Sequence, residues 1–314
     1  MLGLGHHPPA VWLGFTGLVL TLLIIDLGVL NRRSHVLSFK EAVSWSAGLI
    51  AFALLFGLFI FWREGTRPAL EYYTGYIIEL SLSVDNLFVF ILIFSYFGVP
   101  AEAQPKVLKW GILGAIVMRL VMIALGALLL ERFEWIIFVF GGILILTGYR
   151  MFVQKEERIE PERNPLVRLA RRVLPFTNAY DGAKFFTRTG TGRVYATPLL
   201  LVLIVVEWSD LVFAIDSIPA IFAVTRDPFL VYSSNVFAIL GLRALFFVLA
   251  GMMDKFVYLK PGVALILIFV GIKMTLSEWI HLPILVSLGV ILITLGSAVG
   301  LSIRRTAREA RLTA

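Results

Sequence analysis

Cysteine is absent from the 314 residues of this sequence, and charged residues are scarce. Without cysteine the chain has no disulfides, no thiolate metal sites and no cysteine nucleophile. Asp, Glu, Lys and Arg together make up 16% of the residues, whereas a soluble domain holds roughly 25%. The nucleotide-binding pattern G-x-x-x-x-G-K-[ST] does not occur either, which argues against an ATP-driven protein.

Apolar residues fill the sequence instead, at 59% of the total. They form runs of about 20 residues, each long enough to cross a hydrocarbon layer of about 30 Å. We therefore expect an all-α fold, a polytopic membrane bundle of about nine transmembrane helices. Two spans are predicted in 10–62, three in 70–153, three in 196–278 and one in 282–303, with one sizeable loop at 154–195.

The distribution of basic residues predicts the orientation. Most of the 28 Lys and Arg fall in the loops after odd-numbered spans and in the C-terminal tail. The positive-inside rule then places the N-terminus outside and the C-terminus in the cytoplasm of a plasma (inner) membrane. The cytoplasmic loop 154–195 contains "NPLVRLARRVLPF", which is typical of an amphipathic helix on anionic lipid, and then an alternating segment that predicts a hairpin. A plain solvated linker is the alternative for this loop.

Acidic residues lie inside two of the predicted spans. One stretch is "ELSLSVDNLFVF", residues 79–90, and the other is "VVEWSDLVFAID", residues 205–216. An ionised acid at a helix centre costs roughly 2.5–3.5 kcal/mol on insertion scales, so such residues must be protonated, paired or bound to something. The five acids at membrane depth are Glu79, Asp85, Glu207, Asp210 and Asp216.

The two acidic segments belong to an internal repeat. When "ELSLSVDNLFVF" is aligned with "DLVFAIDSIPAI", Glu79 aligns with Asp210 and Asp85 with Asp216. Asn86 then aligns with Ser217. Further along, Arg119 falls on Arg243, and "GYRM" at 148–151 falls on "GIKM" at 271–274. Each copy, 70–153 and 196–278, holds three spans, so the two copies are inverted across the membrane. Inverted repeats are common in secondary transporters, which bind substrate between the two halves.

The polar residues of these segments are candidate ligands for a hard cation. Carboxylate, amide and hydroxyl oxygens are the donors that Mn²⁺, Mg²⁺ and Ca²⁺ prefer. The candidate ligands are Glu79, Asp85, Asn86, Glu207, Asp210, Asp216 and Ser217. Supporting roles are expected for Ser83, Arg119, Arg243 and Asp26. The four histidines lie at or near span ends, which argues against Zn²⁺ or Cu⁺.

Charge and helix geometry add two expectations. Arg119 and Arg243 are the buried basic partners, and five acids less two arginines leave three negative charges, which suits a divalent cation and an exchangeable proton. Pro219 removes a backbone donor, so the sixth span should be kinked near Asp216.

The sequence resembles the TerC family of integral membrane proteins, in its Alx-like branch. The resemblance covers nearly the whole chain and rests on "ELSLSVDNLFVF", on the loop "NPLVRLARRVLPF…KFFTRTGTGRVYATPLL" and above all on "VVEWSDLVFAIDSIPAIFAVT". It implies export of manganese, with tellurium resistance as the older label of some relatives. The acids of the family fall on the same five acids at membrane depth.

Several functions remain open at this point. The first is a secondary transporter that exports a divalent cation, Mn²⁺ by resemblance, without a cofactor, with exchange for protons as the hypothesis for what drives it. The second is a partner of the secretion or insertion machinery, in which the acids and arginines form a structural ion-pair network. An intramembrane aspartyl hydrolase lacks its G-x-G-D signature, so we expect no enzyme activity. The expected partners are a divalent cation and membrane lipid, and no nucleic acid.

Overall fold

A computed structural model describes residues 7–26, 38–133, 135–153, 165–188, 193–250, 258–277, 279 and 282–313, without the side chains of 85 and 307–313. These residues form ten helices and two short strands. In chain order they are α1 Pro9–Ile24, α2 Phe39–Glu64, α3 Thr66–Tyr96, α4 Gln104–Arg132, α5 Ile136–Val153, α6 Pro165–Val173, β1 Phe186–Arg188, β2 Val194–Ala196, α7 Pro198–Phe222, α8 Pro228–Ala250, α9 Leu259–Thr275 and α10 Ile284–Thr313.

Seven of these helices are long and apolar enough to cross a membrane, namely α2, α3, α4, α5, α7, α8 and α10. The predicted polytopic helical architecture is therefore confirmed. Helices α1 and α9 are apolar but have 16 and 17 residues, so at about 1.5 Å per residue each falls short of a 30 Å layer. The count of nine spans stays a prediction, because residues 27–37, close after α1, and 251–257, close before α9, lie outside the described ranges.

Helix α8 lies at the centre of the bundle and is buried along most of its length. Its Phe237 contacts aromatic rings of three other helices, with centroid distances of 5.7 Å to Phe15, 5.0 Å to Phe56 and 6.5 Å to Tyr72. An apolar surface on every side is what a helix needs when it has no exposed face. The aromatic contacts attach α1, α2 and α3 to this central helix.

Helices α5 and α9 run antiparallel in backbone contact. A Cβ atom added to Gly141 would lie 3.0 Å from the Gly271 carbonyl oxygen, and one added to Gly271 would lie 2.8 Å from that of Gly141. Two turns along, a Cβ on Gly148 would lie 2.7 Å from the Ala264 carbonyl oxygen. Small residues allow this close approach between membrane helices.

The segment between α5 and α7 matches its sequence prediction in the part that the structure describes. Helix α6 is amphipathic, and β1 pairs with β2 as an antiparallel hairpin. The Gly-Thr-Gly turn lies outside the described residues. In the loop before β1, hydrogen bonds from Thr187 and Lys184 lower the pKa of the Asp181 carboxyl. The Tyr180 hydroxyl donates to the Phe97 carbonyl oxygen at 2.8 Å, which attaches this segment to the end of α3.

Candidate functional site

Four buried residues from three helices form a central cluster, which we define as Glu79, Arg119, Asp210 and Ser217. Arg119 of α4 donates through Nη1 to the Glu79 carboxylate of α3 and, at 2.7 Å, to the Ser217 hydroxyl of α7. Its Nη2 lies 3.7 Å from Asp210 Oδ1. Every member is at most 2% exposed, so one guanidinium joins two carboxylates in apolar surroundings.

Helical spacing explains why these residues meet. Glu79, Ser83 and Asn86 stand at positions i, i+4 and i+7, which share one face of α3. Asp210 and Ser217 are seven residues apart and share one face of α7. Ser83 and Asn86 are buried, and the Ser83 hydroxyl and the Asn86 amide nitrogen have no hydrogen bond among the described residues.

The cluster leaves several polar atoms without hydrogen bonds to the described part of the chain. They are Glu79 Oε2, both Asp210 carboxylate oxygens, and Nε and Nη2 of Arg119. The contact between Arg119 and Asp210 is thus an ion pair without a hydrogen bond. Unpaired buried polar atoms are costly, especially charged ones. With both acids ionised the cluster carries one negative charge in excess, so it is suited to take up a proton or a cation.

Two other predicted acids of α7 lie apart from this arrangement. The Glu207 carboxylate packs against Gly114 of α4, in the space that a Cβ atom there would fill. Asp216 accepts a hydrogen bond of 2.7 Å from the Thr147 hydroxyl of α5, a residue that the sequence did not indicate. The side chain of Asp85 lies outside the described residues, so its predicted role stays a prediction.

Arg243 does not reach the central cluster, contrary to the prediction that it neutralises acids of the third and sixth spans. It donates to the Asp26 carboxylate of the segment that continues α1. The indole of Trp45 donates to the same Asp26 oxygen at 2.7 Å. Asp26 is therefore held by two donors, which supports a structural role more than that of a direct ligand. The packing of α1 against α8 brings this pair together, and no local pattern in the sequence encodes it.

Helix α7 is continuous through Asp216 and ends at Phe222, one turn after Pro219, so the helix is unbroken there and the kink near Asp216 stays a prediction. Tertiary packing holds the last turn in place. A Cβ atom on Gly126 of α4 would lie 2.8 Å from the Phe222 ring, so α4 and α7 are in close contact there. Pro219 has no N–H to donate to the Ile215 carbonyl oxygen, so α7 passes through this point with one backbone hydrogen bond fewer.

Comparison with known proteins gives the family. Residues 64–310 match the integral membrane protein TerC family. An uncharacterized membrane protein of Myxococcus xanthus is 52% identical over 291 residues, which are 93% of this chain and 91% of that protein. The putative membrane-bound redox modulator Alx of Escherichia coli K12 is 49% identical over 292 residues, 90% of this chain and 91% of that one. No solved structure matches the chain. The chain belongs to the TerC family of integral membrane proteins, in its Alx-like branch.

Proposed function

We propose that this chain is a secondary transporter that exports a divalent cation, Mn²⁺, from the cytoplasm in exchange for protons. One observation carries the proposal. Two buried carboxylates, Glu79 and Asp210, lie on different helices around a single arginine, and both retain oxygen atoms without a hydrogen bond in the described part of the chain. Ionisable residues at membrane depth most often serve transport or proton transfer.

In the proposed cycle, Arg119 and the substrate cation compete for the two carboxylates. Among the described residues no three His, Asp or Glu side chains are grouped closely enough to hold a metal ion. In this arrangement the guanidinium lies between the two carboxylates. A substrate cation would displace it, with a further oxygen ligand from Asn86, on the same face of α3 as Glu79. Protonation of the acids would then release the cation, and Arg119 would return.

The chemistry of the donors supports a hard cation. Carboxylate, hydroxyl and amide oxygens suit Mn²⁺, Mg²⁺ and Ca²⁺ about equally, and selectivity among these ions depends on ligand number and cavity size. The choice of Mn²⁺ rests on the resemblance to the Alx-like branch. Several relatives carry the name putative membrane-bound redox modulator. Thiol–disulfide exchange cannot be the route here, since the 314 residues contain no cysteine.

The contacts of α5 and α9 support two inverted repeats, 70–153 and 196–278. A shift of 123 positions takes Gly141 to Ala264 and Gly148 to Gly271. The close contact of Gly141 with Gly271 therefore becomes the contact of Ala264 with Gly148 when the two halves are exchanged. A two-fold relation of this kind is what rocking of one half against the other needs, with the central cluster between them.

The test is Mn²⁺ flux into vesicles that contain the full chain. The triple variant Glu79→Gln, Arg119→Met, Asp210→Asn removes every formal charge of the cluster, so it avoids leaving a buried charge unpaired. We expect folded protein at wild-type abundance with flux at the level of empty vesicles. Asp181→Asn, which removes an acid outside the spans, should transport normally.

Two results would overturn parts of the proposal. Wild-type flux in the triple variant would make the cluster a structural ion-pair network and would place the transport site elsewhere, whereas flux no higher than that of empty vesicles in the wild type would favour a role beside the secretion machinery. Flux that is unchanged when the pH gradient is collapsed would remove the exchange with protons and leave cation export standing.

A further inference from the structure

Helix α6 combines arginines with an exposed apolar face. Its nine residues include Arg168, Arg171 and Arg172 and no acid. The apolar side chains of Leu169 and Val173 are 56% and 69% exposed, whereas Val167, on another face of the helix, is buried. Exposed leucine and valine beside arginines are typical of a helix that lies in a membrane interface.

Hydrogen bonds place α6 at the level where the spanning helices end. The chain leaving α6 is attached to the last residues of α3 by the bond from Tyr180 to the Phe97 carbonyl oxygen. Thr197, directly before α7, donates at 2.6 Å to the Lys184 carbonyl oxygen. Tyr96, the last residue of α3, is 58% exposed, as aromatic residues at a membrane interface commonly are. The segment thus lies at the depth of lipid headgroups.

A cleft opens between α6 and the ends of these two spanning helices. Its volume is about 460 Å³. Arg171, Thr177 and Asn178 are its polar lining residues, while Phe97, Phe176 and Leu201 belong to its apolar wall. No acidic residue lines this cleft among the described residues. One cation, two neutral polar residues and an apolar wall complement a phosphate group that carries an acyl chain.

We propose that the cleft binds the headgroup of an anionic phospholipid from the adjacent leaflet, with its phosphate at Arg171. Leu169 and Val173 lie among the acyl chains beside it. The lipid would touch the ends of α3 and α7, which carry Glu79 and Asp210. Any effect of the lipid on transport rests on the proposed function, whereas the binding itself does not.

The binding is measured on the full-length protein purified in mild detergent, with native mass spectrometry and phosphatidylglycerol or phosphatidylcholine as the added lipid. We expect phosphatidylglycerol to bind preferentially, and Arg171→Gln to weaken its binding about fivefold, since a basic residue near an anionic surface contributes on that scale. Arg188→Gln makes the same charge change in β1, outside the cleft, and should leave binding unchanged. Inorganic phosphate should not displace the lipid.

A second measurement tests the position of α6 and benefits from the absence of cysteine. A spin label at Leu169→Cys, in phosphatidylglycerol vesicles, should be accessible to oxygen and protected from a water-soluble nickel chelate. A label at Arg168→Cys, on another face of α6, should show the reverse.

Four outcomes would overturn the inference: equal binding of the two lipids, equal loss in the Arg171→Gln and Arg188→Gln variants, displacement by inorganic phosphate, or a water-exposed label at position 169. The last would make the segment a solvated linker. None of these outcomes depends on cation flux, so a failed transport proposal would leave this test intact.

Discussion

Replacement of Arg119 by methionine should destabilise the protein strongly. Methionine keeps a long unbranched side chain and fills similar space, so the change removes charge and hydrogen bonds more than volume. It leaves Glu79 and Asp210 buried, 0% and 2% exposed, without their shared cation. Removal of one partner of a buried ion pair costs about 3–5 kcal/mol. A typical domain has only about 5–15 kcal/mol of net stability, so the loss should be large.

The same reasoning predicts a rescue. Glu79→Gln and Asp210→Asn, added to Arg119→Met, remove the two charges that the arginine balanced. Amide side chains of the same shape are then buried in place of the carboxylates, and replacement of a whole buried ionic group is often close to neutral. Thermal unfolding of the purified protein should show a low midpoint for the single variant and a midpoint near wild type for the triple variant.

Arg226→Met is the matched control, because Arg226 is an exposed arginine in the loop between α7 and α8. Its unfolding midpoint should equal that of the wild type. If Arg119→Met unfolds at the same temperature as Arg226→Met, then Arg119 does not balance buried acids, and the charge argument for the central cluster is wrong.

Three further predictions concern contacts outside the central cluster. Gly148→Val should prevent α5 from packing on the α9 backbone, because a Cβ atom there would meet a carbonyl oxygen at 2.7 Å. The control Gly142→Val, where a Cβ atom would have nothing within 4 Å, should fold normally, and size-exclusion profiles of the two purified variants show the difference. Asp26→Asn should lower the unfolding midpoint by leaving Arg243 without its anionic partner, and added Arg243→Met should restore it. Thr147→Val removes a hydroxyl donor from a partly buried carboxylate of α7 and should cost about 1.5–3 kcal/mol in chemical denaturation; unchanged stability would contradict the bond.

Local patterns in the sequence predicted the features that depend on short stretches of chain. Apolar runs predicted the membrane helices, and alternation around a Gly-Thr-Gly segment predicted the β1–β2 hairpin. The acids at membrane depth, together with Arg119, predicted a buried charged centre. The spacing of Glu79, Ser83 and Asn86 would also have indicated a shared polar face on α3. The comparison of acids between the two repeats did not use this spacing.

Features that depend on how helices pack could not be predicted in this way. The sequence contained two buried arginines and gave no sign that Arg119 binds Glu79 whereas Arg243 binds Asp26. Thr147 looked like an ordinary residue of an apolar span, and only the contact of α5 with α7 makes it the partner of Asp216. Pro219 predicted a kink near Asp216, and α7 continues through it to Phe222, where it packs against α4.

The contact between α5 and α9 limits how the two halves of the protein can move. At Gly141, Gly148 and Gly271 a carbonyl oxygen of the facing helix lies within 3.0 Å of the place that a Cβ atom would take, so the two backbones are in direct contact. Separation of the pair would lose the close packing along this contact, so we expect α5 and α9 to move together as one unit. Distances measured across α5 and α9 should then stay constant through the proposed transport cycle, while those between α3 and α7 change.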